Sequence, residues 1–401
     1  KKSIFISKRV QTKLDYINQV IRECITGIRV IRAFGNEKYE EDRAGKAFKS
    51  YATDMIKLNK IFAVLNPTIW LIIGLSIASI VWIGGVFSMN GTMEIGQITA
   101  VTEYSIITLS YLILATTTSV TLPKMKSCLD RIEEVLEINL EIQDLDMEKK
   151  YKKDNYAVVE FENVSFFYNG AEEPVIRNVS FSCNKGETTA IIGSTGSGKS
   201  TIANLILRLH DIDEGEIRIN GVDIRCISQK ELRDTIGYVP QKAFLFSGTI
   251  EDNLKMGYKD ATKEDMKRAL SISQSDSFVD KLPDGLKSEV SQGGSNFSGG
   301  QKQRLSIARA LIRSVPIYIF DDSFSALDLK TDSTLRKSLK ENMTESAKII
   351  IAQQVSTIMD ADQIIVLDEG KLVGVGKHID LMKSCSVYQA IAKSQMSIKE
   401  A

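Results

Sequence analysis

The clearest chemical signature in the sequence is a glycine-rich run at residues 193–201, Gly-Ser-Thr-Gly-Ser-Gly-Lys-Ser-Thr. A strand-like segment precedes this run and a helix-like segment follows it, which is the context that a phosphate-binding loop requires. The glycines allow backbone N–H groups to surround phosphates, and the helix N-terminus adds its dipole. In this pattern Lys199 supplies charge to the β- and γ-phosphates, and the Ser200 hydroxyl ligates Mg²⁺.

A nucleotide site of this kind needs a carboxylate at the end of a second buried strand. Residues 317–321, Ile-Tyr-Ile-Phe-Asp, follow Pro316 and predict such a strand. Asp321 at its end would hold the Mg²⁺ through a water molecule. An apolar run that ends in Asp is common by itself, but beside a phosphate loop it predicts the metal ligand.

A second anion-binding element lies between these two motifs. Residues 296–304 read Asn-Phe-Ser-Gly-Gly-Gln-Lys-Gln-Arg, and the stretch Ser298-Gly299-Gly300-Gln301 opens a predicted helix. The N–H groups at such a helix start bind anions. One chain therefore carries two predicted phosphate-binding elements.

Composition limits the class of protein that these motifs can belong to. The chain has 401 residues, which predicts two to three domains, and its 51 basic and 51 acidic side chains cancel. Without a basic excess, a nucleic-acid binder that works by bulk charge is excluded. The 43% hydrophobic and 25% charged content excludes a disordered chain, and the two histidines and five scattered cysteines show no zinc-ligand spacing.

Two apolar stretches predict membrane spans. Residues 61–88 contain no charged side chain and exceed the roughly 20 apolar residues that a bilayer needs. Residues 95–122 are apolar but rich in threonine. The loop between them lacks Lys and Arg, whereas Lys57, Lys60 and Lys124 flank the pair, so the positive-inside rule predicts a helical hairpin with both ends in the cytoplasm.

Glu103 is the one charged residue inside the second predicted span. A carboxylate there is costly and faces a cavity or a partner. It would contact a cationic or polar substrate, or lie near the outer interface, or pair with another helix. The sequence leaves these alternatives open.

The region before the first span is predicted to be helical. Residues 7–60 are charged and nearly free of proline, with a break at residues 26–27 before a short amphipathic helix at about 27–34. The second long helix continues into the first span. At about 1.5 Å per residue, some fifty residues reach about 75 Å, so its lower part is expected to project into the cytosol.

Taken together, these motifs resemble those of ATP-binding cassette (ABC) transporters. The run 193–201, Gln241 within Tyr-Val-Pro-Gln, the stretch 296–304 and the stretch 319–328 match the cassette, and the hairpin before it resembles the C-terminal part of an exporter half-transporter. The resemblance implies an all-α transmembrane exporter domain, present as a fragment with its last two membrane helices, followed by an α/β P-loop ABC nucleotide-binding domain. An antiparallel β part and a helical subdomain at about 228–310 are expected within the cassette.

The expected domain limits are 1–137 for the transmembrane part, 138–157 for a linker and 158–401 for the nucleotide-binding domain. The chain begins Lys1-Lys2, without an initiator Met, and the resemblance implies that it is a piece of a longer protein whose first four membrane helices are missing. It is expected to be a multi-pass protein of a bacterial plasma (inner) membrane, with the cassette in the cytoplasm. Its partners would be the lipid bilayer and a small-molecule substrate, and not nucleic acid.

The resemblance also assigns roles to individual residues. The residues expected to bind ATP or Mg²⁺ are Tyr168, Gly193, Ser194, Thr195, Gly196, Ser197, Gly198, Lys199, Ser200, Thr201, Gln241, Ser298, Gly299, Gly300, Gln301 and Asp321, of which Ser200, Gln241 and Asp321 contact the metal. Tyr168 would stack on adenine, with a core aromatic as the alternative. Residues 298–301 would cap ATP held by the opposite cassette, residues 325–328 would couple the two sites, and residues 27–34 would dock on the partner's cassette.

The sequence departs from the family pattern at the catalytic pair. Where the family has a catalytic glutamate after Asp321, this chain has Asp322. Where the family has a histidine that contacts the γ-phosphate, called the switch residue, this chain has Gln353. The Gly-Glu expected before residues 298–301, which the family calls the signature motif, is Ser-Gln at residues 291–292. Asp322 and Gln353 therefore predict a degenerate catalytic site beside an intact signature. That combination resembles one half of a heterodimeric exporter whose partner half-transporter has Glu and His. A slow homodimeric exporter and a non-transporting regulatory subunit remain alternatives, whereas a soluble DNA-acting ABC ATPase is excluded by the two spans.

Overall fold

A computed structural model describes residues 2–138, 142–144 and 157–397 of the chain. The chain divides into two compact units, Lys1–Ile138 and Asn139–Ala401. We call the first the helical unit and the second the α/β unit. Most of the predicted linker at residues 138–157 lies outside the described residues.

The helical unit consists of four helices in the part of the chain that the structure describes. They are α1 (Lys2–Thr26), α2 (Ile28–Ala33), α3 (Glu37–Met89) and α4 (Ile95–Leu136). The short helix expected at about 27–34 is α2, and Gly35, with φ of 62°, turns the chain towards α3. The whole stretch from residue 37 into the first predicted span is one helix of 53 residues, which is about 80 Å long.

Two segments of these helices are long and apolar enough to cross a membrane. Pro67–Met89 has a mean hydropathy of 2.2, and Ile95–Ala115 has a mean hydropathy of 1.5. Their large side chains, such as Trp70 and Trp82, are exposed. Because almost none of either segment is buried, these helices are not core helices of the described unit, and lipid or other helices are the natural cover for them.

A buried carboxylate joins α1 to the charged part of α3. Asp54 is buried and accepts a hydrogen bond of 2.7 Å from Lys13 Nζ, and Arg9 lies 2.9 Å from the same oxygen. The Lys13 hydrogen bond and the neighbouring cations hold the pKa of Asp54 below its usual value. The Asp54 carboxylate can remain charged between the two helices because Lys13 and Arg9 pair with it.

The α/β unit contains three sheets and ten α-helices among its described residues. The strands are β1 (Ala157–Phe166), β2 (Ile176–Asn184), β3 (Thr188–Gly193), β4 (Glu214–Ile219), β5 (Val222–Asp223), β6 (Ile236–Val239), β7 (Gly248–Thr249), β8 (Glu289–Val290), β9 (Ile317–Asp321), β10 (Ala347–Ile351), β11 (Gln363–Asp368) and β12 (Lys371–Gly376). The helices are α5 (Lys199–Ile206), α6 (Gln229–Asp234), α7 (Ile250–Lys255), α8 (Lys263–Ile272), α9 (Asp276–Val279), α10 (Gly299–Leu311), α11 (Leu329–Asn342), α12 (Val355–Ile358), α13 (His378–Ser384) and α14 (Ser386–Ser397).

The largest sheet positions the motifs. Its strand order is β12-β11-β3-β10-β9-β6, in which all neighbours are parallel except β12. Alternate side chains enter two separate cores: Ile192 and Phe320 enter one, and Ile191 and Ile319 enter the other. A parallel sheet is covered on both faces, so the middle positions of its parallel strands are mostly apolar. The helices α7 to α10 lie between β6 and β9 in the chain.

A four-stranded antiparallel sheet, β2-β1-β4-β5, accompanies the parallel one. Residues 158–161 and 164–166 each alternate in the sequence as a strand does, and both lie in a single strand, β1. Phe161 pairs with Phe181 and Val164 with Val179, so β1 carries one extra residue as a bulge. Asn163 sits in that bulge with φ of 50°, and this kink interrupts the alternation in the sequence.

A buried arginine ties residues 142–144 to the α/β unit. Arg208 is 2% exposed and follows α5. Its Nε donates to Asp211 Oδ1 at 2.8 Å, and its Nη1 donates to the carbonyls of Ile224 and Ile227 at 3.3 and 3.2 Å. Its Nη2 donates to the carbonyl of Gln143 at 3.2 Å. The guanidinium thus joins three chain segments, residues 142–144, 208–211 and 224–227.

Replacement of this arginine should destabilise the α/β unit. Arg208→Met leaves buried carbonyls without donors, and loss of one partner in a buried charged network costs about 3–5 kcal/mol. We expect the melting temperature of the unit in the full chain to fall by roughly 6–20 °C, at about 2–4 °C per kcal/mol. Arg225→Met is the control, because Arg225 pairs with Asp223 near the surface and such pairs contribute at most about 1 kcal/mol. Equal shifts in the two variants would contradict this account.

Candidate functional site

The phosphate loop lies where the central strand β3 meets α5. A Cβ atom on Gly193 would lie 2.2 Å from the carbonyl oxygen of Leu367, so only glycine fits there. Gly198 has φ of 92°, and a Cβ on it would lie 2.6 Å from Ile176 Cδ1. The hydroxyl of Ser197 is buried and has no hydrogen-bond partner among the described residues. An orphaned donor in a loop that excludes side chains fits a phosphate oxygen.

Lys199 reaches back across this loop. Its Nζ donates to the carbonyls of Gly193 and Ser194 at 2.9 and 2.7 Å. Burial lowers the pKa of Lys199, and the nearby carboxylates of Asp321 and Asp322 oppose that shift. The lysine is therefore a half-buried cation held by neutral carbonyls, and a phosphate would give it a stronger partner.

Ser200 and Asp321 meet beside the loop. Asp321 ends β9, two strands away from β3, and Ser200 Oγ donates to its Oδ1 at 3.0 Å. Asp321 is only 4% exposed, and this burial raises its pKa, with the Ser200 hydrogen bond as the main opposing effect. The pair provides two oxygen ligands at one point. One or two protein oxygens beside a phosphate site fit Mg²⁺, because that ion keeps several waters and takes further ligands from phosphates.

Asp322 forms a separate cluster with two glutamines. Its Oδ2 accepts hydrogen bonds from Gln241 Nε2 at 3.1 Å and from Gln353 Nε2 at 2.8 Å. Its backbone has φ of 46°, an uncommon conformation for a non-glycine residue, and its N–H donates to the Ile351 carbonyl at 2.9 Å. Burial raises the pKa of Asp322, and the amide hydrogen bonds and Lys199 oppose the shift. Gln241 therefore contacts the candidate catalytic carboxylate rather than Ser200 or Asp321.

Tyr168 lies beside α5, next to its first turn. Its hydroxyl is 3.2 Å from Thr201 Oγ1, and its ring packs edge-on against Phe166 and His210, with centroids at 4.9 and 5.3 Å. The tyrosine is 36% exposed, which is more than a core aromatic and supports a stacking role. Sequence reasoning missed His210, since nothing in its neighbourhood indicates contact with a residue 42 positions earlier.

The predicted signature forms the start of α10. Ser298 Oγ accepts from the N–H of Gln301 at 3.3 Å, and Gln301 Oε1 accepts from the N–H of Ser298 at 2.9 Å, a capping box. A Cβ on Gly300 would lie 3.4 Å from the Ala326 carbonyl, so the loop at residues 325–328 runs alongside. Within the described residues, no hydrogen bond joins this signature to the phosphate loop.

Comparisons with known proteins agree with this geometry. The chain matches the family model for ABC transporter at residues 176–325 and that for ABC transporter transmembrane region at residues 1–112. An ABC transporter ATP-binding protein of Mycobacterium tuberculosis is 40% identical over 391 residues, which make up 97% of this chain and 67% of the relative. An ATP-dependent lipid A-core flippase of Vibrio vulnificus is 33% identical over 397 residues, with 97% and 67% covered.

A solved structure is also similar. It is that of a bacterial Atm1-family ABC exporter with ATP bound, which matches with a TM-score of 0.84 at 29% identity and covers 98% of this chain and 70% of that one. A phosphate loop at the centre of a parallel sheet, with a buried carboxylate beside it, defines a P-loop ATPase. The chain belongs to the ABC transporter family, as an exporter half-transporter with a helical transmembrane domain followed by an α/β nucleotide-binding domain. It binds ATP and couples ATP to export across a membrane.

The buried charge of Asp322 should make the empty site less stable. Its pKa is raised in the folded state, so stability falls as pH rises from the ordinary Asp value of about 3.9 through the folded pKa. We expect Asp322→Asn to raise the melting temperature at pH 7 in EDTA without nucleotide, and to match the wild type below about pH 3.9.

The control for this prediction is Asp328→Asn. Asp328 caps α11, and the hydrogen bond from the Thr331 N–H lowers its pKa, so the sign is opposite. Stability from that carboxylate is present above its unfolded pKa of about 3.9 and is lost as pH falls through the lower folded value. The melting temperature of this variant at pH 7 should fall slightly. A decrease in both variants would show that burial of Asp322 is not the dominant effect.

Proposed function

We propose that this chain is the degenerate-site half of a heterodimeric ABC exporter. The observation that carries the proposal is the cluster at Asp322, where an aspartate takes the place of the family's glutamate and a glutamine, Gln353, takes that of its histidine. Oδ2 of Asp322 already accepts two amide hydrogens, from Gln353 and Gln241. A base that must receive a proton from water is thus engaged by neutral donors.

The chemistry explains why both replacements slow hydrolysis. Hydrolysis of ATP needs a carboxylate that orients or deprotonates the attacking water. Asp is one methylene shorter than Glu, and a displacement of about 1 Å can cost about a hundredfold. Gln353 can donate a hydrogen bond to a γ-phosphate, but it cannot become cationic or relay a proton.

Binding of ATP does not depend on these two residues. Lys199 and the N–H groups of the phosphate loop would hold the β- and γ-phosphates, and Tyr168 would stack on adenine. Ser200, Asp321 and, when it turns from Asp322, Gln241 would hold Mg²⁺, which supplies charge neutralisation at the phosphates. The site is therefore expected to retain ATP and to release it slowly.

The intact signature, beside a degenerate catalytic pair, supports a partner half-transporter whose sequence differs from this chain. Residues 298–301 form a complete capping box at a helix start, ready to cap ATP on an opposing cassette. A partner half-transporter with Glu and His would form the fast site with this signature. The slow site would keep the cassettes together through the cycle. Residues 27–34 would transmit closure, because Val30 on α2 and Phe34 just after it expose apolar side chains.

The proposed location is the inner membrane of a bacterium, with the α/β unit in the cytoplasm. The substrate would be a small drug-like, lipid or peptide molecule. The likeness to lipid A-core flippases favours an amphipathic substrate. Glu103, which is exposed on α4, would then face the substrate path or another helix.

The second candidate is a slow but functional homodimeric exporter. The favouring observation is that Asp322 is still in place, with a pKa raised by burial, as suits a general base. In that case Asp322 and Gln353 would suffice for turnover in both sites.

The steady-state ATPase rate in liposomes separates these candidates. We expect the lone chain to be nearly inactive, and Asp322→Glu with Gln353→His to raise its rate at least about tenfold, because about 1 Å of reach and a titratable group are restored. Gln354→His is the matched control, since the adjacent Gln354 makes no bond to Asp322 among the described contacts, and it should change nothing. The pair with the partner half-transporter should be active. Brisk hydrolysis by the unmodified lone chain would overturn the proposal in favour of the homodimer.

A further inference from the structure

The loop that carries Gln353 is held from outside the nucleotide site. It connects β10 to α12, and the side chain of Gln395 on α14 contacts it twice. Gln395 Nε2 donates to the carbonyl of Gln353 at 2.7 Å, and Gln395 Oε1 accepts from the N–H of Val355 at 2.8 Å. The Gln395 amide therefore hydrogen-bonds both the carbonyl of residue 353 and the backbone N–H two residues further on.

Gln395 is itself fixed by a buried face of α14. Tyr388 and Ala392 lie seven and three residues before it, on the same face of the helix, and both are fully buried. The Tyr388 hydroxyl lies 2.8 Å from Nδ1 of His378 on α13. The helix thus holds the Gln395 amide at a defined place beside the loop.

A second contact holds the backbone of α12, just after this loop. Arg336 on α11 donates through Nη1 to the carbonyls of Ser356 and Thr357 at 3.3 and 3.2 Å. Those contacts lie one residue or more beyond Val355. Of these two clamps, only Gln395 contacts the backbone of residue 353 itself, so it is the side chain placed to fix that residue once the strand ends have brought it near Asp322.

We propose that Gln395 is a positioning residue for ATP hydrolysis at this site. It fixes the backbone of residue 353, whose side chain then reaches Asp322 Oδ2 at 2.8 Å. Because both contacts of Gln395 are to backbone atoms, they persist whether residue 353 is Gln or His. The inference rests on the proposed function of the site, namely that residues 322 and 353 act together in hydrolysis.

Two variants separate the amide from its bulk. Gln395→Ala removes both hydrogen bonds and the side chain, whereas Gln395→Met keeps the length and removes only the hydrogen bonds. A shift of about 1 Å at a reacting group can cost up to about a hundredfold in rate, so we expect both variants to slow hydrolysis about tenfold. The affinity for ATP should stay within about twofold, because the phosphate loop and Tyr168 are untouched.

The measurement is single-turnover hydrolysis of radiolabelled ATP by the reconstituted chain, together with the dissociation constant of ATP. It is made in the unmodified chain and in the chain with Asp322→Glu and Gln353→His. Gln389→Ala is the matched control, because Gln389 lies on the same helix and its side chain makes no hydrogen bond among the described contacts. Its hydrolysis rate should equal that of the parent chain.

The outcomes distinguish this inference from the proposed function. If Gln395→Met hydrolyses ATP as fast as its parent in both backgrounds, however fast or slow that parent is, the inference is overturned. A loss of ATP affinity as large as the loss of rate would overturn it as well. A normal Gln395→Met beside a slow Gln395→Ala would assign the effect to packing and would also overturn it. Failure of the proposed function appears separately, as a fast unmodified chain that the two replacements at residues 322 and 353 do not improve.

Discussion

The candidate site depends on the parallel pairing of three adjacent strands, β3, β10 and β9. Their carboxyl ends meet at one edge of the sheet, and backbone hydrogen bonds continue just past that edge. The N–H of Asp322 donates to the carbonyl of Ile351 at 2.9 Å, and the N–H of Ala352 donates to that of Ile191 at 3.1 Å. The phosphate loop after β3, the carboxylates after β9 and Gln353 after β10 are thereby held within hydrogen-bond distance. Side chains more than a hundred residues apart in the chain form one site for this reason.

The same edge of the sheet carries three ionisable side chains, Asp321, Asp322 and Lys199, whose burial disfavours their charged forms. Burial raises the pKa values of Asp321 and Asp322 and lowers that of Lys199, so each group is partly desolvated in its charged form. A triphosphate and a cation would supply the opposite charges that these groups lack. The site therefore gives up stability in the empty protein in order to bind a highly charged ligand, as is common where function requires perturbed groups.

The sequence predicts the parts of this site whose conformation is local. The glycines of the phosphate loop and the capping box of the signature act within a few consecutive residues, so their pattern is visible in the sequence. Features set by distant residues were not visible. The bulge at Asn163 lies against Gly215 on β4, where a Cβ would be 2.4 Å from the Asn163 carbonyl oxygen, and nothing near either residue in the sequence indicates that approach. The contacts of His210 with Tyr168 and of Gln395 with Gln353 cross 42 residues each, and nothing in their own neighbourhood indicates them.

The signature and the hydrolytic residues of one cassette are shaped by different contacts, which matters for the proposed difference between the two ATP sites. The hydrogen bonds that shape the signature join Ser298 to Gln301, and neither of them involves residues 322 or 353. The strand ends that carry those two residues are joined through backbone atoms, so replacement of their side chains leaves the pairing of β9 with β10 intact. One cassette can therefore lose its own hydrolytic pair while it keeps the fold, the ATP site and the surface that completes a partner's site. The proposed heterodimer, in which one site holds ATP and the other cleaves it, is thus compatible with an unaltered cassette fold.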